Sequence, residues 1–345
     1  MQDGAGTSSK PPLAPTGQEL EHGGRIAAAR RLFPQAPEPF LDLSTGINPT
    51  PYPIPDLPVE AWTRLPQPEA LDALQRAAAS RYGAADPAMV TAAPGTQILI
   101  SLLPRLLPQN EVAVLGPTYG EHAATWRQAG AHVFDTERFE NLHGARCAVL
   151  CNPNNPDGRS ISRGKLLALA DELEARGGLL IVDEAFADFE DALSVAPDLP
   201  SHSLLLLRSF GKAYGLPGLR LGFALAEPGL AGRLRAALGP WAVSGPAAAI
   251  GTSALLDRSW ALQAGARLRR DAARLDKLLA AAGLRVVGGT PLFRLAEGEH
   301  AAFLFAQLGE AGILTRRFAA HPDWLRFGLP GSDTAWARLE AVLCR

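Results

Sequence analysis

"LLLLRSFGKAYGLPGLRLGFAL" (Leu204–Leu225) sets two apolar runs, Leu204–Leu207 and Leu221–Leu225, on either side of a glycine-rich link. Each run has the length of a buried strand and is too short for a stable helix. The link carries one lysine, Lys212, among Gly211, Gly215 and Gly218, with Arg220 just before the second run. Glycines placed this way let the backbone approach a bound group closely. A lysine on an open surface needs no such setting. A lysine amine whose pKa is lowered by its site forms a Schiff base with an aldehyde. The bidentate fork of Arg220 and the hydroxyl of Ser209 suit a phosphate. The stretch reads as two strands whose junction holds a phosphorylated aldehyde.

Similar strand runs recur upstream as "EVAVL" (111–115), "RCAVL" (146–150) and "LLIVD" (179–183). Helical patterns at 97–107, 120–130 and 162–176 alternate with them, the last with Ser162 as N-cap. "EALDALQRAAASRYG" (69–83) is a further helix, closed by Gly83 as C-cap. This alternation predicts an α/β fold with a mostly parallel sheet covered by helices. Past about residue 235, Ala/Arg/Leu helices precede a short α+β unit that ends in a helix starting near Ser332. Residues 1–20, rich in Pro, Gly, Ser and Thr, read as disordered, and 21–58, punctuated by prolines, as an extended arm. The expected division is the arm, a large domain over 59–235 and a small C-terminal domain over 236–345.

An apolar fraction of 47% supports a substantial core, and a formal net charge of −2 argues against a broad nucleic-acid or membrane surface. Cys147, Cys151 and Cys344 are odd in number and match no metal-ligand spacing, so a reduced protein without a metal centre is expected. The N-terminal residues show no signal-peptide pattern, and no apolar run is long enough to span a bilayer. A cytoplasmic protein is the expectation.

In a sheet of this kind ligands sit beyond the carboxyl ends of the strands. "CNPNNPDG" (151–158) follows one such end; it reads as a turn, and equally as a rigid mount for the side chain of Asn155. "LLIVDEAF" (179–186) ends a strand in Asp183 and Glu184. Asp183 suits a helix cap, or burial against a basic ring nitrogen that its charge keeps protonated. Gly95 and Thr96 in "APGTQILI" (93–100) open a helix, whose free N–H groups bind phosphate or are capped by the threonine.

Taken in order, these motifs resemble those of the fold-type-I enzymes that use pyridoxal 5′-phosphate (PLP), the aspartate aminotransferase superfamily, from about His22 to the last helix. The resemblance implies that Lys212 bonds the cofactor aldehyde and Asp183 pairs with its ring nitrogen. Asn155 would bond the ring oxygen, and Tyr119 in "PTYGEH" would stack on the ring. Gly95, Thr96, Ser209 and Arg220 would hold its phosphate. Arg326 in "DWLRFGLPG" matches the arginine that receives the substrate carboxylate, and a homodimer is implied.

Two departures narrow the subgroup. Phe186 stands where many relatives have a tyrosine. Leu65 in "RLPQP" stands where histidinol-phosphate aminotransferases have a tyrosine that reaches the neighbouring subunit's cofactor; whether Tyr52 replaces it stays open. "EHGGRIAAARRLFP" (21–34), "LDLSTGINPTPYP" (41–53) and "DEAFADF" (183–189) look like stretches of the threonine-phosphate decarboxylases of cobalamin synthesis. That likeness makes His22 a phosphate contact, Asn48 an active-site donor, and Arg316 or Arg317 in "GILTRRF" a second anion site for a small phosphorylated amino acid. A PLP-dependent aminotransferase and a non-catalytic PLP-binding regulator are the rival readings. The regulator lacks room for a DNA-binding helix pair and shows no basic footprint.

Overall fold

The computed structural model describes residues 22–199 and 202–344, so the disorder expected of residues 1–20 lies outside the described residues. After a two-residue strand β1 (Leu41–Asp42) in the arm come β2 (Val90–Ala93), β3 (Glu111–Leu115), β4 (His132–Thr136) and β5 (Cys147–Cys151). β6 (Leu179–Asp183), β7 (Leu204–Ser209) and β8 (Gly222–Ala226) follow. β2 to β8 form one seven-stranded sheet in the order β2-β8-β7-β6-β5-β3-β4. β8 runs antiparallel to β2 and β7, and the other pairings are parallel. β5 and β8 are buried along their whole length, as strands covered on both faces must be.

Two strands escape a reading by apolar runs. β2, "VTAA", is short and weakly apolar, and β4, "HVFDT", is a largely exposed edge strand. The helices agree with the expected ones to within a few residues: Pro68–Tyr82, Thr96–Leu106, Glu121–Gln128 and Arg163–Glu174. Gly83 closes the first in the left-handed region at φ +82°. Ser162 stands at the N-cap of the last, yet its side chain makes no capping bond. Gly95, not Thr96, caps Thr96–Leu106, at φ +89°.

The C-terminal part carries a second sheet. A long helix, Arg258–Ala281, leads to β9 (Arg285–Thr290) and β10 (Phe293–Glu297). β11 (Ile313–Leu314), β12 (Arg316–Phe318) and β13 (His321–Gly328) precede the last helix, Asp333–Leu343, whose cap Ser332 accepts from the Ala335 N–H. The antiparallel order is β12-β13-β10-β9. Leu268, Leu275, Phe305, Leu325 and Leu339 belong to a separate apolar cluster there, while Ala247, Ala248 and Leu255 join the cluster of the large sheet.

The arm is not extended throughout. The alanine-rich "IAAARRL" forms a helix, Ile26–Leu32, that buries Ala28 and Ala29. β1 then pairs in parallel with β11, fastening the arm to the C-terminal part. Among the described residues, no helix is long and apolar enough to cross a membrane.

Candidate active site

The carboxyl ends of β5, β6 and β7 place Cys151, Asp183 and Ser209 side by side, because parallel pairing sets Cys151 opposite Asp183 and Asp183 opposite Leu207. Asp183 is buried. Its Oδ1 accepts from the Ala185 N–H at 3.0 Å, and its Oδ2 lies 2.9 Å from Nε2 of His122. Burial alone would raise its pKa; the His122 hydrogen bond and charge, with Lys212 beyond, outweigh burial and hold the carboxyl below its ordinary value. His122 shows the reciprocal effect. Burial opposes its charge, but the Cys151 sulfur and Asp183 raise it to about 10. An anionic Asp183 and a cationic His122 thus form a buried pair at the sheet end. Ligand atoms of His122, Cys151 and Asp183 lie within 4.8 Å of one another.

Lys212 sits in a one-turn helix, Phe210–Ala213, directly after β7, and its Nζ donates to Ser209 Oγ at 3.2 Å. Burial lowers its pKa, with Asp183 opposing. An amine pushed toward its neutral form is the nucleophilic form. The arm holds this turn: the Asn48 N–H donates to the Lys212 carbonyl at 2.8 Å, and Asn48 Nδ2 donates to the Ala213 carbonyl at 2.9 Å. Asn48 is therefore buried against the lysine segment, with its side-chain oxygen taken by the Thr50 N–H and Arg267.

Gly95, Thr96 and Arg220 converge at the start of Thr96–Leu106. A side chain at Gly95 would place Cβ 2.7 Å from Arg220 Nη2, and one at Gly222 would place it 2.7 Å from the Thr96 nitrogen. Arg220 itself adopts the left-handed region at φ +53°. The missing side chains leave a helix N-terminus and a guanidinium facing one small space.

On the other side, Arg326 is buried. Its Nη1 donates to Asn155 Oδ1 and its Nη2 to the Ser44 carbonyl at 2.9 Å. Burial, with Arg316 adding repulsion, lowers its pKa to about 9. Arg316 faces Arg326 across β12 and β13, whereas Arg317 lies over the Phe305 ring at 4.2 Å. Strand alternation puts Arg316 with the site and Arg317 in the C-terminal cluster. Tyr119 donates through its hydroxyl to Gln97 Oε1 at 2.9 Å, and burial raises its pKa to about 12. His22 lies 3.5 Å from Glu121 and edge-on to Tyr119, ring centroids 6.4 Å apart.

Tyr52 is committed within its own chain. It stacks edge-on against Trp260 at 5.2 Å, and its pKa is raised by burial and by a hydrogen bond to Asp257.

The motif reading passed over His122, although it closes the quoted "PTYGEH"; a histidine on a short helix carries no signal until the fold puts Asp183 beside it. It also passed over Gln97, and over a charge pair behind the site. Arg208 is buried with Nε 3.1 Å from Glu184 Oε2, and Glu184 further accepts from Ser194 Oγ and the Val195 N–H. Consecutive residues on β6 and β7 point oppositely, so Asp183 and Ser209 face the cleft while Glu184 and Arg208 lock the strands from behind.

The aminotransferase class I and II profile matches residues 59–339. The chain belongs to the class I and II aminotransferase family. Within this family it is 45% identical, over 94% of its length and 98% of the relative's, to a threonine-phosphate decarboxylase of Sinorhizobium sp. It is 43% identical, over 94% of its length and 97% of the relative's, to a threonine-phosphate decarboxylase of Pseudomonas aeruginosa. Its fold matches the structure of histidinol-phosphate aminotransferase from Sinorhizobium meliloti in complex with pyridoxal-5′-phosphate, with a TM-score of 0.82, 22% identity and 98% of each chain covered. The mostly parallel large sheet and smaller C-terminal sheet are those of this fold.

The family's cofactor is PLP, and the residues present fit it. Lys212 is a neutral-leaning amine for its aldehyde, Asp183 a buried anion for its ring nitrogen, and the cradle at Gly95 and Arg220 a place for its phosphate.

Proposed function

We propose that this chain is a PLP-dependent threonine-phosphate decarboxylase, converting L-threonine O-3-phosphate to 1-amino-2-propanol O-2-phosphate and CO₂ in cobalamin synthesis. The observation that carries the reading is the 45% and 43% identity to two such decarboxylases over 94% of the chain. The histidinol-phosphate aminotransferase structure, at 22% identity, speaks for the fold alone.

In this reading Lys212 anchors the cofactor, Asp183 with His122 behind it faces the ring nitrogen, and Asn155 and Tyr119 flank the ring. Gly95, Thr96, Ser209 and Arg220 hold the cofactor phosphate. Bound, PLP supplies the electron sink for the pair left when CO₂ departs. The buried Asp183 carboxylate, kept ionised by His122, would favour a proton on the ring nitrogen. Arg326 takes the substrate carboxylate through its fork. Arg316 and His22 take the substrate phosphate, and Asn48 fixes the lysine turn beside it. Separate anion sites fix which bond to Cα stands in line for cleavage. Lys212 Nζ then delivers a proton to Cα of the product.

The proposed division keeps the arm, a cofactor-binding domain and a C-terminal domain that closes the substrate side. A cytoplasmic homodimer completes the reading: Ile54, Val59, Trp62 and Leu65 are 59–67% exposed, and such apolar exposure on one stretch suits a subunit contact.

The test supplies PLP and L-threonine O-3-phosphate without any oxo-acid and measures CO₂ beside the amine product. CO₂ and aminopropanol phosphate in equal amounts, lost in Lys212→Ala, are expected. Amino transfer between histidinol phosphate and 2-oxoglutarate, with no CO₂, would sink the decarboxylase and leave the family.

A further inference from the structure

The Lys212 amine and the Arg326 guanidinium each rest on an aromatic face. Lys212 Nζ lies 5.1 Å from the Phe186 ring centroid, and Arg326 Cζ lies 5.1 Å from that of Phe293. The two rings pack edge to face, centroids 5.0 Å apart at 79°, and both are buried. Gly46 of the arm closes over them. A Cβ there would come within 2.8 Å of Phe186 Cε1 and 2.9 Å of Phe293 Cδ1. The Arg326 fork is fixed at Nη1 by Asn155 and at Nη2 by Ser44, while its buried Nε has no hydrogen-bond partner among the described residues.

We propose that Phe293 is a positioning residue for recognition of the substrate carboxylate. Its ring face sets the plane of the Arg326 guanidinium, and the Phe186–Phe293 pair, packed by Gly46, fixes that plane relative to Lys212. A guanidinium binds a carboxylate through two parallel N–H groups, so its plane decides whether both bonds form. A ring face under a desolvated cation contributes enough to change affinity by about tenfold. Leucine at this place keeps apolar bulk and removes the quadrupole. The inference rests on Arg326 as the carboxylate receptor, as read above.

Substrate and product differ at the group concerned: the product has lost its carboxylate. In the holoenzyme, Phe293→Leu is expected to raise KM for L-threonine O-3-phosphate about tenfold. The dissociation constant of 1-amino-2-propanol O-2-phosphate, read from the cofactor's absorbance, should stay within about twofold, as an unchanged phosphate site requires. Phe293→Tyr, which keeps the face, should restore KM. Gly46→Ala, which displaces the same pair from outside, should raise KM with the product constant unmoved, and serves if Phe293→Leu does not fold. An unchanged KM in either variant, or equal losses for substrate and product, overturns the proposal. Arg326→Gln separates the two levels. If it leaves KM unchanged, the carboxylate assignment itself is wrong; if it raises KM while the Phe293 variant does not, only the aromatic platform fails.

Discussion

Gly95→Ala perturbs the cradle in two ways that different measurements separate. The residue sits at φ +89°, where a side chain costs about 1–2 kcal/mol of backbone strain. That strain burdens the folded protein with or without cofactor. Its Cβ would also come within 2.7 Å of Arg220 Nη2 and 3.3 Å of Cζ, so the guanidinium must swing away from the helix N-terminus. A lost charged hydrogen bond to phosphate is worth about 1.5 kcal/mol at an exposed arginine, or about tenfold in affinity. Denaturant unfolding of the cofactor-free protein is expected to show the first effect, and absorbance titration with PLP the second. Arg220→Ala should weaken PLP binding by a similar factor without the strain. The double variant should then bind no more weakly than Gly95→Ala, since both remove one contact. If Gly95→Ala binds PLP as the wild type does while losing stability, the glycine serves the turn alone and the cradle is misassigned.

Arg208→Met should destabilise the protein by about 3–5 kcal/mol in denaturant, because Glu184 is left as an unpaired buried charge. The raised pKa of His122 means that the folded protein holds a proton which the unfolded chain releases above its ordinary value near 6.5. Stability from this group is therefore full below about pH 6.5 and is lost as pH rises toward about 10, at up to about 1.4 kcal/mol per pH unit. Lys212 and Arg326, whose pKa values are lowered, pull the total the other way, so the His122 slope is read as the difference between wild type and His122→Gln in urea unfolding of the cofactor-free protein at pH 7 to 9.5. Tyr52→Phe removes the bond to Asp257 and should cost about 1 kcal/mol of stability while PLP affinity stays unchanged; a fall in affinity would make Tyr52 the replacement for the tyrosine missing at Leu65.

Most of the large sheet was legible because buried parallel strands are written as unbroken apolar runs, of which "LLLLRS" and "CAVLC" are examples. β4 was illegible for the converse reason: an edge strand with one solvated face need not be apolar. The arm's helix was hidden by the prolines around it. Candidate residues carried by a turn or a strand end, such as Lys212, Asp183 and Gly95, could be picked out by their neighbours in sequence. His122 and Arg208 could not, since their meaning lies in the carboxylates that tertiary packing sets against them. The choice between Arg316 and Arg317 needed only the strand's alternation, but that requires knowing where β12 begins.

The arm joins parts of the chain that are far apart in sequence. Ser44 holds Arg326 across 282 positions, β1 pairs with β11, and Asn48 bonds the successive carbonyls of Lys212 and Ala213. Contacts this distant form late in folding, because a long loop must close before they stabilise anything. During synthesis, then, the strands of the large sheet can assemble while β13, which carries Arg326, is still being made. The pairing of β1 with β11 can form only when the C-terminal strands dock on the waiting arm.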